Sequence, residues 1–510
     1  MTNTFFSIFY TIKNIAYRYF LWSKDDNLKH NHFKNLVPNI IGKDSSDREE
    51  VIIPLFDDES MIKMVFSFIK NHQIDVKYKL RFLYVLTGID HHHKIWKVIL
   101  DKYFFRYHIL KVSKLYHIPI GAIVYSNFLQ RYHKAQQNIP TKEDLLAYSY
   151  NDIVLGDLVY DTYLRYRSRP AADLQDPELY RIIGYAEALA DYWTMALRDK
   201  RPAFFLFPYC AYIHWGIPTR VAMKSGINVL VYGSPNYYLA KPTQEFPYHT
   251  KNFNLYPVIW QRLSDKEGKL AVAQKRIEER LHGKKAADLA YMRQSAYEGA
   301  SVTYQPDSGR PFAIVFLHCF FDSPHVYGDL IFPDFVDWIQ HILNFAKRNP
   351  QFDFLVKPHP NGIPGNDPIV ASFREEYAAY PNIIFLDKNI SNQSLAGLRP
   401  NGIFTVYGTI AHEFAYLRLP VICAGENPHK MYHFVHQPTT VNAFNYFLEN
   451  LDTLGLPENY DKEKILEFYY MHYLYFAPGI DAITHPIQND FHKGTWSMYS
   501  QIEIEKLIYS

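Results

Sequence analysis

Cysteine is scarce. Cys210, Cys319 and Cys423 are the only three in 510 residues, and no CxxC pair occurs. That argues against a disulfide framework or a cysteine zinc site and fits a reducing cytoplasm. Net charge is scarce too: 54 Lys and Arg against 52 Asp and Glu leave +2. No global field exists to hold a nucleic-acid backbone or an anionic membrane, so any anion must be bound by a local site. Uninterrupted apolar runs of about 18 residues are missing, and no membrane span is expected. Internal repeats and low-complexity tracts are absent as well. What is present is a 48% apolar, 21% charged chain with the balance of ordinary globular cores, long enough for two to four domains at about 100 to 200 residues each. Aromatics reach 17%, with 42 Tyr and 36 Phe. Rings with a polar edge suit sugar faces and wet interfaces as well as cores, so the excess is compatible with carbohydrate handling but does not establish it over plain compositional bias.

Residues 1–22 are apolar with Lys13 and Arg18 interspersed and no small-residue cleavage site, which is not a signal peptide. The stretch reads as a helix packed on its own domain, or as an amphipathic helix on the inner leaflet of a membrane. Residues 1–150 read as helical, most clearly over 60–71 and 90–107. His91, His92 and His93 are adjacent, point in three directions on a helix, and mark a solvated helix start. Residues 177–198 form a helix capped by Asp176. Strands are expected at 203–207 and 228–232 around a helix over 218–224, and residues 262–299 form a charged helical connector. From residue 312 the alternation is regular, with strands at 312–317, 352–356, 382–385, 402–406 and 421–423. Helices at 335–347, 369–377 and 410–417 separate them, and a helical tail begins at Lys462. This is a doubly wound α/β pattern, in which ligands sit beyond the carboxyl ends of the strands.

Three clusters fall at those strand ends. In Lys357-Pro358-His359-Pro360 two prolines stiffen a loop carrying an ammonium and an imidazole, a pairing suited to a phosphate or diphosphate. In Tyr407-Gly408-Thr409-Ile410-Ala411-His412-Glu413, Gly408 permits close approach of a ligand and Thr409 is expected to N-cap a helix whose amides seat an anion. Glu413 lies one position beyond the capping-box site and is either a ribose-binding carboxylate or an ordinary first-turn acid. In His318-Cys319-Phe320-Phe321-Asp322-Ser323-Pro324-His325, the two histidines and the aspartate can contact substrate or phosphate, serve acid–base chemistry, or make structural hydrogen bonds. Further upstream, Asp157, Asp161 and Arg165 recur every four residues and share a helical face. They read as a surface ion pair or as a site in which one Asp is a general base. His429, His433 and His436 share a helical face, but imidazoles are too common in this chain, at 23, to mark a metal site.

Lys357-Pro-His359-Pro followed by Gly408-Thr409-Ile-Ala-His-Glu413 and Leu419-Pro-Val-Ile-Cys-Ala-Gly425 resembles the donor-binding half of bacterial capsule and surface-polysaccharide glycosyltransferases of the GT-B type. Related His-Pro loops occur in Kdo- and sialic-acid-transferring enzymes and in teichoic-acid-type polymerases. The resemblance implies two Rossmann-like doubly wound domains facing a cleft. An acceptor domain with helical additions would span residues 1–305 and a nucleotide-sugar donor domain residues 306–455. A helical tail over 456–510 would pack back toward the first domain. It further implies His359 and Lys357 on the donor phosphate, Thr409 on the same anion, Glu413 on the ribose, and neither metal nor cofactor beyond the nucleotide-sugar donor. The catalytic candidates are His359, Asp161, Asp157 and Asp322. Lys357, Gly408, Thr409, Glu413, His318 and His325 complete the donor site. The expected activity is sugar transfer from a nucleotide-activated donor to a surface glycan or glycolipid acceptor on the cytoplasmic face, without nucleic acid, with peripheral membrane association as an option. A polyol-phosphate transferase and a non-catalytic glycan-binding scaffold are the alternatives.

Overall fold

The computed structural model describes residues 48–55, 69, 73–84, 116–117, 139–198, 201–207, 209–231, 241–248, 253–284, 295–306, 309–360, 362 and 365–475. The helix expected at 1–22, those at 60–71 and 90–107 almost entirely, His91–His93, and the tail beyond 475 lie outside the described residues.

The first half contains β1 (Glu50–Leu55), α1 (Ile74–Lys77), β2 (Lys79–Tyr84) and β3 (Tyr116–His117). These are followed by α2 (Lys142–Leu146), the hairpin β4 (Ser149–Tyr150) and β5 (Ile153–Val154), and α3 (Gly156–Arg167). The remainder is α4 (Pro177–Leu197), β6 (Phe204–Phe207), α5 (Tyr212–Lys224) and β7 (Val229–Val231). Its five-stranded sheet is parallel, in the order β3-β2-β1-β6-β7. The helical reading of residues 1–150 is corrected here, because β1 and β2 are strands. Both hide their pattern. Pro54 speaks against a central strand, yet it sits near the end of β1. In β2, Arg81 makes an ion pair with Glu50 across the ladder, Nε to Oε1 2.6 Å, so a charged residue interrupts the apolar run. The helix expected from Pro218 begins six residues earlier, and Pro218 lies inside it. A proline fits a helix start, which is why the sequence suggests one there. Asp176 does cap α4, its side chain accepting from the Glu178 N–H at 2.9 Å.

The second half contains α6 (Tyr256–Gln261), α7 (Lys266–Leu281), β8 (Phe312–Phe316), α8 (Phe335–Arg348), β9 (Asp353–Lys357) and α9 (Asn366–Glu376). It continues with β10 (Ile383–Phe385), α10 (Asn392–Gly397), β11 (Gly402–Thr405), α11 (Ile410–Tyr416), β12 (Val421–Cys423), α12 (Val441–Glu449) and α13 (Lys462–Tyr469). Its sheet is also parallel and repeats the order of the first, β10-β9-β8-β11-β12. Two Rossmann-like units of the same winding therefore make up the α/β fold. One correction concerns their extents. Phe253, Trp260, Ala273, Ile277, Leu281 and Tyr297 pack in one core with Phe312, Ile314 and Phe414, so the connector belongs with the second sheet. The described start of the tail, α13, packs on α7 and α11 in that same core, and the rest of the expected tail lies outside the described residues.

Helix α3 is held against its neighbours by close backbone approach. A Cβ at Gly156 would lie 1.9 Å from Leu145 O and 2.4 Å from Leu146 O, both main-chain atoms that cannot swing away. Gly156→Ala is therefore expected to destabilise by about 1–3 kcal/mol through overpacking. A drop in the calorimetric unfolding temperature is the readout, and an unchanged temperature would show that α2 yields.

Candidate active site

In a doubly wound sheet the ligand crevice opens where the strand order reverses. In the second half this is between β8 and β11, and the side chain standing there is His318. Its Nε2 accepts from the Val406 N–H at 3.2 Å and lies 3.2 Å from the Thr405 hydroxyl, which puts the ring proton on Nδ1. The ring is flanked by Phe335 at 4.7 Å and Tyr407 at 4.9 Å. Burial, reinforced by nearby His359, lowers its pKa to about 3, so His318 is neutral. A Cβ at Gly408 would lie 3.0 Å from Thr405 Oγ1 and 3.5 Å from His318 Cε1. The Gly408 loop thus closes on His318, and the half-buried His359 lies within electrostatic reach of the same ring.

Other donor-site candidates are placed differently. Lys357 is 1% exposed, and its Nζ donates to Lys388 O at 3.4 Å. Burial brings its pKa down to about 8 against the pull of Asp387. It lies beneath the loop, and no ammonium is offered at the surface. Thr409 has helical backbone angles and its side chain makes no capping bond. Glu413 is 1% exposed, with Oε1 accepting from Arg280 Nε at 3.1 Å and Oε2 from the Tyr297 hydroxyl at 2.7 Å. A carboxylate sealed in this way does not face a ribose, so its expected role is corrected to a buried tie between α11 and α7. His429, His433 and His436 do not share a helical face. Only a 3-10 turn, Lys430–Tyr432, separates the first two, and His433 has φ +53°. Among the described residues no group of three His, Cys, Asp or Glu side chains is arranged to hold a metal ion.

The face of α3 reads out residue by residue. Asp157 does not act with Asp161: both its oxygens take the Arg220 guanidinium, at 2.7 and 2.5 Å. Burial alone would raise its pKa, but Arg220 holds it low. Asp161 accepts from His325 Nδ1 at 2.6 Å in a fully buried pair, so neither Asp157 nor Asp161 is a free base and His325 is not free to meet a donor. Arg165 reaches Asp322 at 3.7 Å.

Asp322 is the exception among the candidate carboxylates. Its side chain is 56% exposed, yet the protein walls around it push its pKa up, opposed by Arg165. The hydroxyls of Tyr209 and Tyr212 from the first half and of Tyr327 and Tyr407 from the second all lie within its electrostatic reach. Tyr209 stacks on Tyr212 at 6.3 Å and meets Trp215 edge-on at 5.0 Å, and Tyr327 meets Tyr407 at 4.8 Å. Two non-glycine residues at this place occupy the left-handed region, Tyr212 at φ +63° and Ser323 at φ +42°. Such strain clusters at functional sites. The Ile213 N–H, donating to Thr162 Oγ1 at 2.9 Å, holds the first of them. Sequence reasoning named Tyr407 only as the first residue of its cluster and gave the other three no role, because single rings among 42 carry no positional signal. Their grouping around an acid is the only clue, and it exists only in three dimensions.

Among the described residues no helix is long and apolar enough to cross a membrane. No family model and no curated protein matches the sequence. Among solved structures, the chain is similar to the β-Kdo 2,4 transferase KpsC of Thermosulfurimonas dismutans, with 13% identity over 52% of this chain and 77% of that one and a TM-score of 0.33. It is also similar to a glycosyltransferase from Rickettsia africae, with 10% identity, 91% and 99% coverage and a TM-score of 0.26. A UDP-GlcNAc 2-epimerase from Neisseria meningitidis, bound to UDP-GlcNAc, shows 10% identity, 82% and 97% coverage and a TM-score of 0.24.

Proposed function

We propose that this protein is an intracellular glycosyltransferase that moves a sugar from a nucleotide-activated donor to a glycan or glycolipid acceptor. The observation that carries the reading is Asp322, an accessible carboxylate of raised pKa facing tyrosines from both halves. A general base works best when its pKa approaches the working pH and it can reach the proton it takes. The acceptor rests on Tyr209 and Tyr212. Its hydroxyl oxygen attacks the anomeric carbon, its proton passes to Asp322, and the bond from that carbon to the phosphate oxygen breaks. The departing nucleotide carries the electron pair. His359 on the His-Pro loop and the close-approach backbone at Gly408, both within reach of His318, receive that charge. Lys357 contributes positive potential from below the loop.

A panel of CMP, UDP, GDP and ADP tests this by thermal shift, since a ligand that binds only the folded chain raises its unfolding temperature. Stabilisation by one nucleotide, with a new glycosidic bond in the product, is expected. Product analysis is required because a sugar-nucleotide epimerase would also bind. His359→Ala should fold normally and lose at least about tenfold in turnover. Absence of any shift at millimolar nucleotide, or full activity in that variant, would refute the assignment.

A further inference from the structure

We propose that Asp161 and His325 are positioning residues that pin the turn carrying Asp322 to α3, and so fix the base relative to the first half. The inference rests on the reading of Asp322 above. Within its own loop the Asp322 N–H donates to Cys319 O at 3.1 Å. Among the described residues its carboxylate has one ionic partner, Arg165, at a loose 3.7 Å. Three residues on, His325 is fixed at three points. Its Nδ1 donates to Asp161 Oδ1 at 2.6 Å, its main-chain N–H to Asp161 Oδ2 at 3.4 Å, and its Nε2 to Pro333 O at 2.9 Å. Both ring nitrogens face acceptors, so the ring carries both protons. Tyr160 covers it edge-on at 5.0 Å.

Asp161 and Arg165 lie one helical turn apart on α3, and His325 and Asp322 lie at the two ends of one turn. The helix therefore grips that turn at both ends, with the dry end rigid and the wet end adjustable. A buried pair of this kind adds little stability over apolar side chains of the same shape, but it imposes a single geometry. A misplacement of about 1 Å in a reacting group can cost about a hundredfold in rate. The charged and titratable groups facing Asp322 are Arg165 from α3, Tyr209 and Tyr212 from the strand-end loop and start of α5, and Tyr327 and Tyr407 from the second half. None of these is altered by the substitutions below.

The test compares Asp161→Asn with Asp337→Asn in the full chain. The second variant weakens another tie between the halves: it removes the Lys142 Nζ bond to Asp337 Oδ2 at 2.8 Å, outside the turn, while the Lys142 bond to Asp334 Oδ2 at 2.9 Å remains. In Asp161→Asn, amide hydrogen exchange over residues 319–326 should rise at least about tenfold. Turnover should fall by about ten- to a hundredfold while donor KM stays within about twofold. The acid limb of the pH–rate profile should move to lower pH as Asp322 gains solvent. Asp337→Asn should change none of these. His325→Asn, whose amide nitrogen can stand where Nδ1 stood, should recover part of what His325→Ala loses. Unchanged exchange over 319–326 in Asp161→Asn overturns the pinning whatever the activity, and so does a rate and pH profile matching Asp337→Asn in an active enzyme. A wild-type chain without transferase activity whose turn still loosens in Asp161→Asn sinks the reading of Asp322 and leaves the pinning standing.

Discussion

Asp322→Asn is expected to lower turnover by about 10²–10⁴-fold, the contribution of a positioned general base. Nucleotide binding and folding should be unaffected. The carboxylate is more than half exposed and its ion pair is 3.7 Å long; surface changes of this sort usually alter stability by no more than about 0.5 kcal/mol. The substitution is nearly isosteric and keeps a hydrogen-bonding oxygen, so a loss of rate reports the missing proton acceptor. The wild-type pH dependence carries the matching sign. A base is active when ionised, so kcat should fall as pH drops through the Asp322 pKa. That pKa stands above the ordinary carboxylate value, because desolvation by the surrounding protein outweighs the Arg165 guanidinium. Arg165→Met removes the opposing charge and should move the acid limb to still higher pH. An Asp322→Asn enzyme that keeps wild-type kcat, or an acid limb at the ordinary carboxylate position that survives the substitution, would remove the base from the mechanism.

How much of this could be read from the chain depends on where each residue finds its partner. Strands β8, β9, β11 and β12 are legible because a parallel strand covered on both faces is a continuous apolar run, as Phe312 to Phe316 illustrates. Strands β1 and β2 are not, since Pro54 and the Glu50–Arg81 ion pair break that run with residues that serve the ladder or its edge. The shared face of Asp157, Asp161 and Arg165 follows from helical spacing alone, and α3 is that helix. Its meaning does not follow, because Arg220 and His325, which take the two aspartates, lie 63 and 164 residues away. Asp322 could be picked out as an acid in a strand-end loop. The tyrosines grouped around it come from three separate segments.

Glu413 shows the same separation at its sharpest, and its removal should be the most damaging change to the fold. As a ribose ligand it would be exposed, and Glu413→Ala would weaken nucleotide binding while leaving the protein folded. Its actual partners, Arg280 and Tyr297, come from 133 and 116 residues upstream. Arg280 itself is 3% exposed and lies over the Tyr297 ring at 5.4 Å. Truncating the carboxylate leaves a buried guanidinium without its counter-charge and a buried phenol without its acceptor, a defect that costs about 3–5 kcal/mol. Because α7 is tied to α11 a second time, by the Tyr416 hydroxyl donating to Glu278 Oε1 at 2.8 Å, the helix should stay docked but strained, and the loss should fall on the whole second unit. For a unit of about 150–250 residues, in which each kcal/mol shifts the unfolding temperature by about 2–4 °C, the first calorimetric transition should drop by at least about 6 °C. Glu413→Gln, which keeps an acceptor for Tyr297 and loses only the charge, should fall between the two. A Glu413→Ala chain that melts with the wild type but binds nucleotide poorly would return this residue to the ligand and break the tie between α7 and α11 inferred from its burial.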